Sequence, residues 1–464
     1  MNEMKTYRYI LAALFFISCF ACNKKLDVLP QNNVTSIEDG DDVKALLYGS
    51  YSSLQGASGF GERYIFIADL LANTDMVDYV GSFSIYKDIL NKNQTRESSI
   101  ATGIWTNSYL LIEDMNIVLD KLDLVDEDER DAVAAEAKFM RGVAYFELVN
   151  YFAQPYSAGS TGSNAGVPLV LEPTYIYDES KNKPSRASVE DVYQQVIKDL
   201  TDAADGLPET ADNARATTYA AKAFLSRVYL NMGDYAKAAT MANEVITSGY
   251  FTLTSTYNQA FNNPSNSPED IFGIQNTAQS NAGTSNNGLS TFYRYAYDAN
   301  GNGAGGRGEA QVDANYFNYF DDPNDFRAGF VSDGYSITGN GGIYTLKWLT
   351  FYRVIPVIRL AEMYLTRGEA NLRKGGAPIG GVAPLKDINI VRERSGAEDL
   401  AGVNGQDFVD ERFRELAFEG DRLWTLKRLK SDVGDYSYDD PKLVLPIPQR
   451  EIDANSNLTQ NEGY

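Results

Sequence analysis

Apolar residues recur at helical spacing through much of the first half of the chain. In EAKFMRGVAYFELVNYF, which begins at Glu136, the residues Met140, Ala144 and Leu148 lie four positions apart. This spacing places their side chains on one face of a helix, and neighbouring apolar residues widen that face. The pattern therefore predicts a helix with a broad buried surface.

A second helix is predicted in SVEDVYQQVIKDLTDAADGLP. Ser188, followed three residues later by Asp191, is typical of the capping box that begins a helix. Gly206 and Pro208 are stop signals. The sequence therefore predicts a helix that begins just after Ser188 and ends near Gly206.

The segment TYAAKAFLSRVYLNMGDYAKAATMANEVITSG has the spacing of a tetratricopeptide unit. Small Ala238 and Ala242 allow two paired helices to approach closely, and Gly233 with Asp234 turns the chain between them. A weaker relative, IRLAEMYLTRGEANLRKGG, is followed by a partner helix through Ile388. Because isolated repeats cannot bury their own apolar faces, we expect a mostly α fold built of stacked helix pairs.

A different region, about residues 251–345, is rich in Asn, Gly, Ser and aromatic residues. Long irregular segments in a compact protein are often functional loops. Aromatic faces beside polar groups suit sugar rings, and NTDMVDYVGSFSIY and TFYRYAYDAN both offer this mixture. The candidate ligand-binding residues are Tyr79, Phe83, Tyr86, Tyr293, Tyr295 and Tyr297.

Two structural expectations attach to these aromatic residues. The alternation in YRYAY favours a strand in which Tyr293, Tyr295 and Tyr297 point to one side. Packing in the core, or simple exposure to solvent, is the alternative interpretation of each tyrosine. Trp105, Trp348 and the third tryptophan, Trp424, lie in apolar helical patterns, so we expect them to pack in the core.

The first 21 residues are typical of a signal peptide. Lys5 and Arg8 precede an apolar run that is shorter than the ~20 residues a spanning helix needs. Ala21 directly before Cys22 resembles a lipobox, in which the cysteine is acylated and becomes the first mature residue. An ordinary signal peptide or an anchoring helix is the alternative. Acyl chains on Cys22 would anchor the mature protein to a membrane.

Charge and composition narrow the possible functions. The 464 residues carry a net charge of −22, which argues against binding to nucleic acid or to anionic lipid surfaces. Histidine is absent, and the only cysteines are Cys19 and Cys22. Catalytic systems and zinc sites that need histidine or several cysteines are therefore excluded. We expect no cofactor.

Two acidic motifs are candidates for functional sites. DANGNGAGGRGE fits a calcium-loop pattern in which Asp298, Asn300, Asn302 and Glu309 would supply oxygen ligands. A glycine fills the place of the usual apolar anchor and no clear helix precedes the motif, so a flexible loop is favoured and no metal is assigned. In FDDPNDFRAGF, Asp321 and its neighbours suggest a glycosidase pair, although solvated loop charges are the simpler explanation.

The order of several blocks resembles the SusD/RagB family of Bacteroidetes nutrient-binding lipoproteins. The blocks are EAKFMRGVAYFELVNYFAQP, GVPLVLEP, SVEDVYQQVIKDL, the tetratricopeptide-like unit, IRLAEMYLTRGEA with INIVRERSG, ERFRELAFEGDRLWTLKRL and the terminal LVLPIPQREIDANSNLTQNEGY. The resemblance implies four tetratricopeptide-like helix pairs that support an irregular, loop-rich ligand-binding face. It also implies a surface lipoprotein of the outer membrane that binds a glycan or related nutrient, without catalysis, and delivers it to a SusC-like TonB-dependent transporter.

This interpretation divides the chain into a signal peptide at 1–21, an N-terminal SusD-like region at 22–250 and a C-terminal region at 251–464 that contains the loop-rich insertion. Two other function classes stay open from the residues alone. One is a carboxylate-based glycoside hydrolase, and the other is a tetratricopeptide scaffold that binds only proteins. The sequence does not name the nutrient.

Overall fold

The computed structural model describes residues 37–464, apart from 73–74, 177, 180–181 and 212–214. The predicted signal peptide and Cys22 lie outside the described residues.

Helices form most of the regular structure. In chain order they are α1 (Gly40–Gly49), α2 (Tyr51–Gln55), α3 (Arg63–Leu71), α4 (Ser84–Leu90), α5 (Ser99–Asp120), α6 (Arg130–Phe152), α7 (Val189–Gly206), α8 (Thr218–Met232), α9 (Tyr235–Thr247), α10 (Leu289–Tyr293), α11 (Leu360–Lys374), α12 (Pro384–Arg394), α13 (Gly405–Leu416), α14 (Asp421–Arg428) and α15 (Gln449–Ala454). The predicted mostly α fold is confirmed.

The helix boundaries follow local signals. The Ser188 hydroxyl accepts the Asp191 N–H at 3.0 Å at the start of α7, and α7 ends at Gly206, as predicted. Between α8 and α9, Gly233 has φ +76°, a left-handed conformation that glycine adopts without strain, and Asp234 caps α9. The ends of these helices are therefore defined by residues that are close in sequence.

The long helices pack in sequence order and share one core. α6 packs between α5 and α7, and α9 packs between α8 and α11. Ala238 and Ala242 are fully buried, as expected for the close approach of paired helices. One hydrophobic cluster includes residues from both sides of position 250, and the division into 22–250 and 251–464 stays a prediction.

Short antiparallel strands join the loop-rich region to the helices. They are β1 (Val77–Tyr79), β2 (Asp270–Ile274), β3 (Tyr297–Asp298), β4 (Ala310–Val312), β5 (Val331–Tyr335), β6 (Gly341–Thr345) and β7 (Ile355–Arg359). β1 pairs with β4, β2 pairs with β7, and β3, β5 and β6 form a three-stranded sheet. Residues 251–345 are therefore less irregular than their composition indicates, because five of these strands lie within that range.

A cluster of buried charges holds the C-terminal helices against the loops and the β2–β7 pair. Its ten side chains are each at most 8% exposed, and five basic groups balance five acidic ones. We call it the buried charge cluster, and its members are Glu269, Asp325, Arg327, Lys347, Arg359, Arg392, Arg394, Glu411, Glu415 and Glu419.

Glu415, on α13, is the centre of this cluster. Its carboxylate receives N–H groups from Arg327 at 3.2 Å, from Arg359 at 2.9 Å and from Arg394. Burial alone would raise the pKa of the Glu415 carboxyl, but the surrounding cations lower it to about 2. Glu415 is therefore ionised in the folded protein across the physiological range.

We predict that Glu415→Gln strongly destabilises the fold, because three buried guanidinium groups lose their shared counter-charge. Breaking a buried ion pair from one side typically costs about 3–5 kcal/mol. The free energy of unfolding, measured by urea titration at pH 7, tests this. Because the folded pKa lies below the unfolded one, the contribution is complete above about pH 4.3 and is lost as pH falls towards 2.

Glu393→Gln is the matched control, since Glu393 is an exposed glutamate on the neighbouring helix α12. We expect it to change stability by less than about 0.5 kcal/mol. Equal urea midpoints for the two variants would show that the cluster does not hold these elements together.

Candidate functional site

Three of the six predicted ligand-binding aromatic residues lie in the core. Tyr79 is 4% exposed, Tyr86 is 2% exposed and Tyr293 is 1% exposed. A ring covered on both faces cannot stack on a sugar. The prediction that these three form a ligand platform is therefore wrong for this structure.

These rings pack around Phe66 on α3. The Phe66 centroid lies 5.2 Å from that of Phe292, 5.3 Å from that of Tyr86 and 5.3 Å from that of Tyr293. The Tyr293 hydroxyl donates to the Asp69 carboxylate at 2.7 Å. Burial raises the pKa of Asp69 to about 7, although this hydrogen bond opposes the rise. Aromatic residues of the two predicted stretches do contact one another, but they do so in the core beneath the loops.

The expected strand through YRYAY is also wrong. Tyr293 ends the short helix α10, and only Tyr297 enters a strand. Tyr295 is half-buried and packs over Gly334, where a Cβ would lie 2.7 Å from it. The three tyrosines therefore do not share a face, because burial of Tyr293 against Asp69 imposes a helical turn before the strand begins.

Two of the remaining candidates lie nearer the surface. Phe83 is half-buried beneath the Arg307 guanidinium, which lies 4.6 Å from the ring centroid. Tyr297 is 43% exposed and faces Tyr335, also 43% exposed, across the β3–β5 pair. For Phe83, Tyr295 and Tyr297 a contact with ligand stays a prediction.

In the calcium-loop candidate, Asp298, Asn300 and Asn302 bond to one another, whereas Glu309 engages other partners. Asp298 accepts the backbone N–H groups of Asn300 and Asn302 at 2.9 Å and 2.8 Å, which closes the loop on itself. Glu309 is fully buried, pairs with Arg307 at 2.7 Å and accepts the Tyr79 hydroxyl. Among the described residues, no group of three or more His, Cys, Asp or Glu side chains is arranged to hold a metal ion.

A pocket that the sequence did not reveal lies between two loops of the C-terminal region. One loop, residues 275–288, joins β2 to α10, and the other, residues 346–354, joins β6 to β7, with the first residues of α10 and β7 contributing to the lining. Asn262 holds the second loop, because its amide donates to the Leu346 carbonyl at 2.8 Å and accepts the Thr350 N–H at 2.9 Å. We call this site the loop pocket.

Adjacent aromatic residues form one wall of the loop pocket. Phe351 is half-buried and Tyr352 is 40% exposed, with their ring centroids 6.2 Å apart. Tyr352 has φ +58°, which is uncommon for a bulky residue and points to a backbone held by its surroundings. The wall therefore offers fixed aromatic surface to a bound molecule.

Polar groups lie beside this wall. The Asn276 amide donates to the Arg353 carbonyl at 3.1 Å, while its Oδ1 is buried and accepts no hydrogen bond from the described residues. The Ser290 hydroxyl also lines the pocket, 3.4 Å from the Thr350 carbonyl. An aromatic surface beside an unused acceptor and a hydroxyl suits a molecule with both C–H faces and hydroxyl groups.

The structure differs from the sequence-based expectation for the segment around Trp348. LKWLTFYR reads as an apolar helix, and Trp348 is indeed 3% exposed, with its indole N–H donating to the Phe418 carbonyl at 2.9 Å. The segment is a loop, however, so Phe351 and Tyr352 do not follow Trp348 into the core. The sequence signal that could have indicated the pocket is the adjacent aromatic pair FY beside an arginine.

Another candidate site is a cavity of about 50 Å³ between α6, α8 and α14. Its wall includes Glu147, a 6% exposed carboxylate that forms no ion pair within the described part of the chain. Burial raises the pKa of Glu147 to about 8, with Arg227 opposing the rise. Its other charged wall residues are paired within the fold. The loop pocket instead presents the 40% exposed Tyr352 ring beside polar groups, so it is the better candidate for a nutrient.

Comparisons with known protein families agree with this architecture. Residues 26–230 match a SusD-like family model described as starch-binding and associating with the outer membrane, and residues 352–443 match the SusD family model. The chain is 25% identical to SusD-like protein P2 of Formosa agariphila over 91% of this chain and 92% of that protein. It is 24% identical to the starch-binding protein SusD of Bacteroides thetaiotaomicron over 76% of each chain.

Solved structures share the fold over nearly the whole body. A putative sugar-binding protein from Bacteroides vulgatus superimposes with a TM-score of 0.80 at 27% identity, covering 93% of this chain and all of that chain. A SusD superfamily protein from Bacteroides thetaiotaomicron gives a TM-score of 0.79 at 25% identity, covering 91% of this chain and all of that chain. The similarity of fold therefore extends over more than nine tenths of this chain.

We predict that Tyr293→Ala destabilises the protein by roughly 3–5 kcal/mol, because it empties a core position and leaves the buried Asp69 carboxyl with the Gly420 N–H but without the Tyr293 donor. Tyr297→Ala should change stability by less than about 0.5 kcal/mol, since that ring is exposed. Urea unfolding of both variants measures the difference. Similar losses would contradict the assignment of Tyr293 to the core and Tyr297 to the surface.

Proposed function

This chain belongs to the SusD/RagB family, and we propose that it is an outer-membrane surface lipoprotein that captures a glycan and delivers it to a SusC-like TonB-dependent transporter. The loop pocket is the proposed capture site. The observation that carries this proposal is the fixed aromatic wall of Phe351 and Tyr352 beside the unused Asn276 acceptor. Sugar rings need this combination, because their C–H faces stack on aromatic rings while their hydroxyls bond to amides.

The names of the relatives support glycan capture. One relative is named for starch binding, and one solved structure is described as a putative sugar-binding protein. These names describe binding, which agrees with the expectation that the protein is not an enzyme. The named relatives thus favour a carbohydrate ligand over a peptide.

The glycosidase alternative finds little support in the acidic loop. Asp322 accepts the backbone N–H groups of Asn324 and Glu398, and Asp325 pairs with Arg327 at 2.7 Å. These carboxylates serve the fold and face no pocket that we assign to ligand. Reducing-end release from a polysaccharide panel by the purified protein would favour the enzyme, whereas binding without release supports capture.

The anchoring proposal rests on the sequence before the described body. Among the described residues, no helix combines the length and the apolar character that crossing a bilayer requires. A lipid on Cys22 supplies the attachment in our proposal, with residues 22–36 as the link to the body. Co-purification of a TonB-dependent transporter with the native protein from solubilised membranes tests the proposed partner.

We predict that Tyr352→Ala and Phe351→Ala each weaken glycan binding about fivefold to tenfold, because a stacked ring contributes on the order of 1 kcal/mol beyond its burial. Calorimetry with the glycan that binds best in a screen measures the change. Tyr250→Ala is the control, since Tyr250 is a 48% exposed tyrosine that follows α9 on the helical body. Unchanged affinity in both pocket variants, with unchanged melting temperature, would place the ligand elsewhere.

We predict that Cys22→Ala moves the protein from the membrane fraction to the soluble fraction, because acylation needs the cysteine thiol. Cys19→Ala should stay in the membrane fraction, since Cys19 is removed with the signal peptide in this interpretation. Fractionation with a high-salt wash measures both variants. Retention of Cys22→Ala in washed membranes would contradict the lipid anchor.

A further inference from the structure

The loop pocket differs in charge from the rest of the molecule. The whole chain has 63 acidic against 41 basic residues. Yet no Asp or Glu lines this pocket, while Arg353 does, and Arg294 lies against its aromatic wall. The charged residues that line the pocket are therefore all basic.

Arg294 and Arg353 also differ from most of the other described arginines. In the part of the chain that the structure describes, neither has a carboxylate within ion-pair distance, whereas the arginines of the buried charge cluster all do. Three further described arginines lack a carboxylate partner and, like Arg353, donate to carbonyl or amide oxygens; these are Arg96, Arg130 and Arg186. Arg294 instead has a buried Nε with no acceptor among the described residues.

Both guanidinium groups are held in place. The Arg294 Cζ lies 5.3 Å from the centroid of the Phe351 ring, a cation–π contact that orients the group. The Arg353 Nη1 donates to the Tyr352 carbonyl at 3.2 Å, and the Arg353 carbonyl is itself fixed by Asn276. Because each group keeps unused N–H donors, an incoming anion would meet donors that are already positioned.

Lys347 does not contribute to this positive charge. It lies at the base of the pocket, but its ammonium donates to the Glu415 and Ala417 carbonyls at 2.9 Å and 2.7 Å and pairs with Glu419. Arg307, on the nearby loop, is likewise neutralised by Glu309 at 2.7 Å. At the loop pocket, the positive charges without a carboxylate partner are therefore those of Arg294 and Arg353.

We infer that the captured glycan is anionic, carrying uronate carboxylates or sulfate esters that Arg294 and Arg353 bind. This inference rests on the proposed capture function and names the ligand class of the same pocket. Guanidinium groups bind carboxylates and sulfates through paired, charge-assisted hydrogen bonds, and such bonds are stronger than those to neutral hydroxyls. The acidic surface elsewhere does not prevent this, because exposed charges beyond about 8–10 Å are screened at physiological salt.

The test uses the full lipoprotein purified in detergent and size-matched oligosaccharides of three kinds. Oligogalacturonates supply carboxylates, carrageenan oligosaccharides supply sulfates, and malto- and laminari-oligosaccharides are neutral. Calorimetry should show at least tenfold tighter binding of one or both anionic series than of the neutral series. Binding of only one anionic series supports the inference and identifies the anionic group. The anionic affinity should also fall as sodium chloride rises.

Variants assign the effect to the two arginines. Arg353→Gln and Arg294→Gln should each weaken anionic binding at least tenfold and leave any neutral binding within twofold. Arg96→Gln, an exposed arginine without a carboxylate partner, is the matched control and should change neither. Melting curves identify a variant that fails to fold. Binding by the other, folded variant then tests the inference.

Two outcomes would contradict the inference, and they can be distinguished from each other. Neutral binding as tight as anionic binding, unaffected by either arginine variant, would overturn the anionic ligand and leave glycan capture intact. Absence of binding to all three kinds of oligosaccharide would overturn the inference and count against the capture function on which it rests.

Discussion

The buried charge cluster around Glu415 is the constraint on which the functional face depends. Its ten groups come from separate parts of the chain, including the approach to β2, the loop before β5, β7, α12 and α13. Burying a charge without a partner costs several kcal/mol, so these segments must meet in one arrangement that pairs every group. The cluster therefore selects a single relative placement of the helices and the loops.

This placement extends directly to the loop pocket. Lys347 is fixed by the cluster, and the next residue, Trp348, is fixed by the Phe418 carbonyl. Three residues later the chain reaches Phe351 and Tyr352, with Asn262 bonded to the intervening Thr350. Exposed aromatic side chains in a loop bind weakly when they must first be ordered. Here the loop is ordered by buried ion pairs before any ligand arrives.

The elements that could be predicted from the sequence are those with local causes. Ser188 caps α7 through a residue three positions away, and Gly233 turns the chain by its own conformation. Tyr293 could not be assigned in this way, because its burial depends on Asp69, which lies 224 positions earlier in the chain. Tyr297, only four positions later in the same aromatic run, lies in the opposite environment. Aromatic composition thus predicted that aromatic residues concentrate here, but not which rings reach the surface.

The net charge of the chain and the charge of the loop pocket lead to different conclusions about the ligand. The net charge of −22 argues against nucleic acid, and it also suggests at first that any anion is repelled. The buried charge cluster alters this conclusion. It pairs the Lys347 ammonium with Glu419, and none of its own five carboxylates lines the pocket. Arg294, over the Phe351 ring, and Arg353, in the pocket wall, are then the charges without a carboxylate partner beside a molecule that stacks on Phe351. The same ion pairs that fix the loop therefore also set the sign of the field that a ligand meets there.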